Sequence, residues 1–267
     1  MKKKKWINTI AFAAMIVVNA LANLLPIGGN TTAQVSEMYP NLFTPAPVTF
    51  AVWGLIYIMM ALFVVYQWEV LDHGLYSSQV REDVGIWFTL SCALNIAWVF
   101  LWHFRLIGLS VIAIFLLLCS LYMILRRLDG AGDGFRQQFA ARTGFSVYFG
   151  WIIAASIANI SVLLTKISWG GWGLSADLWT VIVLAAGAAI ASAVALAGKN
   201  RVAALTVMWA YAGILIRHIS PAYLNAAHPF VIAMAFVAET VILVCILQPW
   251  LRGRCCEKCD TDEEDEV

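Results

Sequence analysis

Residues 39–57 read YPNLFTPAPVTFAVWGLIY, a proline-punctuated aromatic loop that runs without a break into an apolar helix. Pro45 and Pro47 suit a helix entrance, because proline's fixed φ matches a first turn and neither residue needs a backbone donor there. Beyond them Phe50, Trp53 and Tyr57 stud the helix, and Trp53 and Tyr57 fall four residues apart on one face. Stacked rings at that spacing suit a pocket wall for a flat, greasy ligand. They equally suit an aromatic belt at a membrane interface. Either way, the stretch marks where a chain enters a bilayer.

Composition supports that placement. Of 267 residues, 62% are hydrophobic and 12% charged, and the mean hydropathy is +0.81. A water-soluble chain of this length cannot hide so much apolar surface, so the fold class is an all-α polytopic membrane protein. Apolar runs long enough to cross a bilayer recur over 6–25, 48–68, 84–104, 108–125, 144–164, 174–198, 202–219 and 230–251. The connection at His103-Phe104-Arg105 is so short that the third and fourth spans must be antiparallel neighbours.

The formal net charge of +1 conceals a separation, with Lys2 to Lys5 at one end and a largely acidic run, Asp260 to Glu266, at the other. Placing the lysines inside gives the inside loops Arg81, then Arg126, Arg127, Arg136 and Arg142, then Lys199 and Arg201, and finally Arg252 and Arg254. The outside loops hold Arg105, Lys166 and Arg217. That asymmetry predicts a multi-pass cell-membrane protein with both termini cytoplasmic. A rival reading takes the lysines, the apolar run and Ala20-Leu21-Ala22 as a cleavable secretory signal. Asn19 and Asn23, spaced for helix packing, favour a retained first span.

Two later stretches echo the opening one. Asn95, Trp98 and Trp102 share a face of the third span, and Tyr148, Trp151, Ala155 and Asn159 share a face of the fifth. An asparagine in a membrane helix serves either as interhelical glue or as a ligand contact. The residues alone leave both open.

Three ordered motifs, FTPAPVTFAVWGLIY (43–57), LNIAWVFLWHF (94–104) and VYFGWIIAASIANI (147–160), resemble the translocator protein family, also called tryptophan-rich sensory proteins or TspO/MBR. The resemblance covers roughly residues 6–166, five helices, and leaves the last three spans without a counterpart. The fourth span carries no acidic residue, and the fifth begins Thr143-Gly144-Phe145-Ser146 with no proline before Tyr148; both depart from the family pattern. The resemblance implies a five-helix bundle with a pocket under its first loop, binding a planar hydrophobic ligand such as a porphyrin or another tetrapyrrole, or a sterol-like lipid. It implies a sensor or translocator in which Pro45, Phe50, Trp53, Tyr57, Asn95, Trp98, Trp102, Tyr148, Trp151 and Asn159 line the site. No cofactor is obligatory on this reading, and a tetrapyrrole would enter as ligand.

The expected organisation is a ligand-binding membrane domain over 1–166, a three-helix extension over 174–251 and a Cys-containing acidic tail over 252–267. In the extension, AAGAAIASAVALAG (185–198) supplies small residues for close helix packing within the chain or between copies, so a homo-oligomer is one expected partner arrangement. The loop Ser168-Trp169-Gly170-Gly171-Trp172-Gly173 marks the boundary. Arg217, His218 and His228 read as interfacial anchors, with a cavity cap as the alternative.

Glu239 lies deep in the eighth span, where an ionisable group is costly. It is a candidate coupling acid for the alternative function, a proton-coupled secondary transporter of a small metabolite. The structural alternative is a protonated or hydrogen-bonded glutamate. Cys255, Cys256 and Cys259 form no complete metal site, so no metal is expected, and a reduced cluster is favoured over acylation. No HExxH, phosphate-cradling loop or nucleophile elbow occurs, and enzymatic activity is not expected. Nor is nucleic-acid binding, since the basic residues only flank spans. The expected partners are the lipid bilayer and a hydrophobic small molecule.

Overall fold

The computed structural model describes residues 2–25, 27–68, 78–129 and 138–264, with the side chains of 2, 66, 78–83, 138–140 and 249–264 outside that description. Arg136 lies outside the described residues, as do the side chains of Arg81, Arg252, Arg254, Cys255, Cys256, Cys259 and the acidic run. Regular structure among the described residues is entirely helical. Eight helices have the length and apolar composition to span a bilayer. They are α1 (Lys2–Leu24), α3 (Val52–Gln67), α4 (Ser78–His103), α5 (Ile107–Leu128), α6 (Gly144–Lys166), α7 (Ala176–Leu196), α8 (Arg201–Ile219) and α9 (Pro229–Glu264). In α9 the span itself is Pro229–Gln248.

One short helix was not expected. Thr32–Glu37, α2, interrupts the loop before Pro45. A capping box starts it: the Thr31 hydroxyl accepts from the Gln34 backbone amide at 3.3 Å, and the Gln34 side-chain oxygen Oε1 accepts from the Thr31 backbone amide at 2.8 Å. The loop then enters α3 through a 3-10 turn, Pro47–Ala51, with proline in its first position.

The spans form two packed units. In the first, α4 packs on α5 and α1, and α5 packs on α6. Large side chains fill it, including a triangle of Phe63, Phe88 and Phe145 with ring centroids 4.9–6.0 Å apart. Amides tie α1 into this unit: Asn8 donates to the Gln67 side chain at 3.1 Å, and Asn19 donates to that of Asn95 at 2.7 Å. In the second unit, α7, α8 and α9 pack on one another around buried Ala188, Ala191, Ala204, Ala235 and Ala238. Small side chains let three backbones approach closely, which is how helices gain dispersion contacts where no hydrophobic effect drives them together.

The units meet where α8 lies on α6. Gly150 permits it, because a Cβ there would overlap the Ala203 carbonyl. The seam is interlocked. Phe43 and Ile153 from the first unit belong to the apolar core of the second, and Ala210 belongs to the core of the first.

Candidate functional site

Phe50 projects from the 3-10 turn Pro47–Ala51, Trp53 from the start of α3, Trp98 and Trp102 from α4, and Trp151 from α6. Trp53 is the hub of this cluster. It stacks on Tyr57 at 5.6 Å and on Trp98 at 6.5 Å, with interplanar angles of 24° and 28°. It meets Tyr148 at 5.7 Å and Trp151 at 6.2 Å edge to face. Trp98 in turn stacks on Trp102 at 5.6 Å, and Phe50 meets the edge of Trp151 at 5.8 Å. These separations fall in the range where aromatic pairs attract beyond simple burial.

Large rigid rings leave gaps when packed, and beside this cluster lies a cavity with about 620 Å³ of atom-free space, its open mouth included. Pro45, Phe50, Trp53, Trp98, Trp102, Trp151 and Asn159 line it. Thr32 and Ser36 of α2 and Phe43 of the loop form its roof, while Ile114 of α5 and Ala154, Ala155 and Ala158 of α6 add apolar wall. Ala210 and Ile214 of α8 complete the lining. The α2 residues were missed, and the Thr31-to-Gln34 capping spacing is the signal that could have shown their helix. Ala210 and Ile214 had no distinguishing signal.

Tyr57, Asn95 and Tyr148 stand outside the lining. Asn95 is fully buried and saturated by neighbours, donating to the Tyr148 hydroxyl at 2.9 Å while accepting from Asn19. That arrangement joins α1, α4 and α6 at one depth and is the glue alternative for an intramembrane amide. Asn159 does line the cavity, but it is engaged. Its oxygen accepts from the Trp98 indole at 3.2 Å, and its amide donates to Ser110 at 3.0 Å. The Trp102 indole donates to the Thr32 carbonyl at 3.1 Å and fixes α2 over the cavity. Trp151 differs. It is 4% exposed, and its indole N–H has no acceptor among the described residues. A buried unpaired donor is costly, so a ligand acceptor here would relieve a penalty already present.

The loop roofing the cavity hangs from α8. The Ala46 amide donates to the Gly213 carbonyl at 2.9 Å, the Trp209 indole to the Thr49 carbonyl at 2.9 Å, and the His218 Nε2–H to the Leu42 carbonyl at 2.8 Å. Gly213 has no alternative at this contact, since a Cβ would collide with the Thr49 hydroxyl. His218 is fully buried, while His228 pairs with Asp177 at 2.8 Å. Arg217 approaches Glu37 of α2 at 3.9 Å. Glu239 stands apart from the cavity, half-buried on α9, with one carboxyl oxygen lacking a partner among the described residues.

A family model described as TSPO-like protein matches residues 5–248. The match therefore takes in the three spans that the motifs had left outside the resemblance, consistent with the interlocked seam. No curated protein and no solved structure matches the chain.

Proposed function

Since the chain belongs to the TSPO-like protein family, we propose that its cavity binds a planar hydrophobic ligand, tetrapyrrole-like or sterol-like, for sensing or translocation across the cell membrane. The observation that carries this reading is a cavity walled by four tryptophans, among them Trp151, whose fully buried indole donor has no acceptor among the described residues. Flat apolar faces suit the near-parallel rings of Trp53, Trp98 and Trp102, and a single acceptor suits Trp151. The charge asymmetry of the loops supports cytoplasmic termini.

The test titrates protoporphyrin IX into the purified full chain and follows quenching of tryptophan fluorescence. Trp53→Ala combined with Trp151→Ala should abolish saturable quenching while circular dichroism and thermal melting remain those of a folded protein. Undiminished quenching would remove the site assignment.

Glu239 supports a second reading, a proton-coupled secondary transporter of a small metabolite, because an acid in a span with an unpaired buried oxygen is costly to keep. PH-dependent uptake into proteoliposomes should then vanish in Glu239→Gln. Uptake that persists makes Glu239 structural.

A further inference from the structure

The cavity reaches beyond the five spans that carry the family motifs. Ala210 and Ile214 of α8 line it and are 4% and 1% exposed. Ala154, Ala155 and Ala158 of α6 line the same seam. Side chains that end at Cβ leave open the space between the two helices, beside the unpaired Trp151 donor. α8 cannot easily retreat to make more room. Trp209, adjacent to Ala210, and Gly213, adjacent to Ile214, both bond the roofing loop. Gly150 holds α8 against α6 at the other end of the seam. The width of the cavity on this side is therefore set by what stands at 210 and 214.

We propose that α8 is part of the ligand site and that Ala210 and Ile214 determine which size of planar ligand is admitted. This rests on the planar-ligand reading and adds a claim of its own: selectivity is set by the C-terminal three-helix unit as well as by the tryptophans.

The test compares two probes of different area, protoporphyrin IX and pyrene, by fluorescence titration of the full chain. A hydrophobic pocket discriminates by about tenfold or more per methylene-sized change. Ala210→Leu should accordingly weaken protoporphyrin IX at least about tenfold and pyrene less than about threefold. Ile214→Val, which removes one methyl, should shift the affinity ratio about tenfold the other way, in favour of the larger probe. Circular dichroism and melting confirm folding; if Ala210→Leu does not fold, Ile214→Val alone decides the matter. Wild-type binding with an unchanged ratio in every folded variant overturns this proposal alone. Wild-type protein that binds neither probe overturns the planar-ligand reading and this proposal with it.

Discussion

The two units of this membrane bundle differ in what fills them. The first, α1 and α3 to α6, sets seven buried aromatic rings among aliphatic side chains and is cross-tied by buried amides. The second, α7 to α9, sets six buried alanines among aliphatic side chains with one buried ring of its own, Tyr211, whose hydroxyl is the buried cross-tie among the described residues, donating to the Leu184 carbonyl at 2.7 Å. The contrast shows how a bundle makes space in a bilayer. Within the second unit small residues bring backbones together, whereas in the first bulky rings hold helices apart and amides fix their positions. A cavity then forms where the two units meet, with the rings of the first beside alanines of both α6 and α8.

If that contrast is right, damage at the seam should cost most. Gly150→Leu forces a side chain into the Ala203 carbonyl, so a loss of about 3 kcal/mol or more is expected. Detergent-solubilised protein should show it as a large fall in thermal midpoint; an unchanged midpoint would mean that the units do not touch as described. Next come the amides of the aromatic unit. Asn95→Leu strands both the Asn19 donor and the Tyr148 hydroxyl. The expected cost is about 1–2 kcal/mol, since hydrogen bonds between membrane helices are individually modest. The same measurement reads it, and no loss would leave the rings as the sole organisers of that unit.

Smaller still is the roof. Trp209→Phe deletes the bond to Thr49 while keeping an aromatic body, which should release about 1 kcal/mol from the loop alone. Hydrogen exchange should rise at Ala46 and Thr49 with the global melt almost unmoved. Unaltered exchange would show that the loop holds itself. At the bottom of the scale, Phe236→Leu on the exposed face of α9 should stay within about 0.5 kcal/mol of wild type. A larger effect would mean that this face is covered in the working protein.

The eight spans were readable from apolar runs because bilayer thickness imposes length directly. The aromatic stripes were readable too, since helical spacing places Trp98 with Trp102 and Trp53 with Tyr57. What an amide does there was not readable. Asn95 and Asn159 present the same residue in the same kind of stripe, yet Asn95 is enclosed by Asn19 and Tyr148 while Asn159 reaches the cavity. Only the placement of α1, fixed by packing far away in sequence, separates them. Ala210 and Ile214 were hidden for a related reason. Along α8 they look like any apolar pair, and their role arises from glycines at 150 and 213 that let distant elements close on them.

The most direct test of the account is where a planar ligand sits. A photoreactive porphyrin analogue bound to the full chain and activated by light should label peptides from both units, 147–160 of α6 and 205–215 of α8, and excess protoporphyrin IX should suppress both. Labelling confined to bilayer-facing positions such as Ile58 and Phe236, and unsuppressed by competitor, would contradict it.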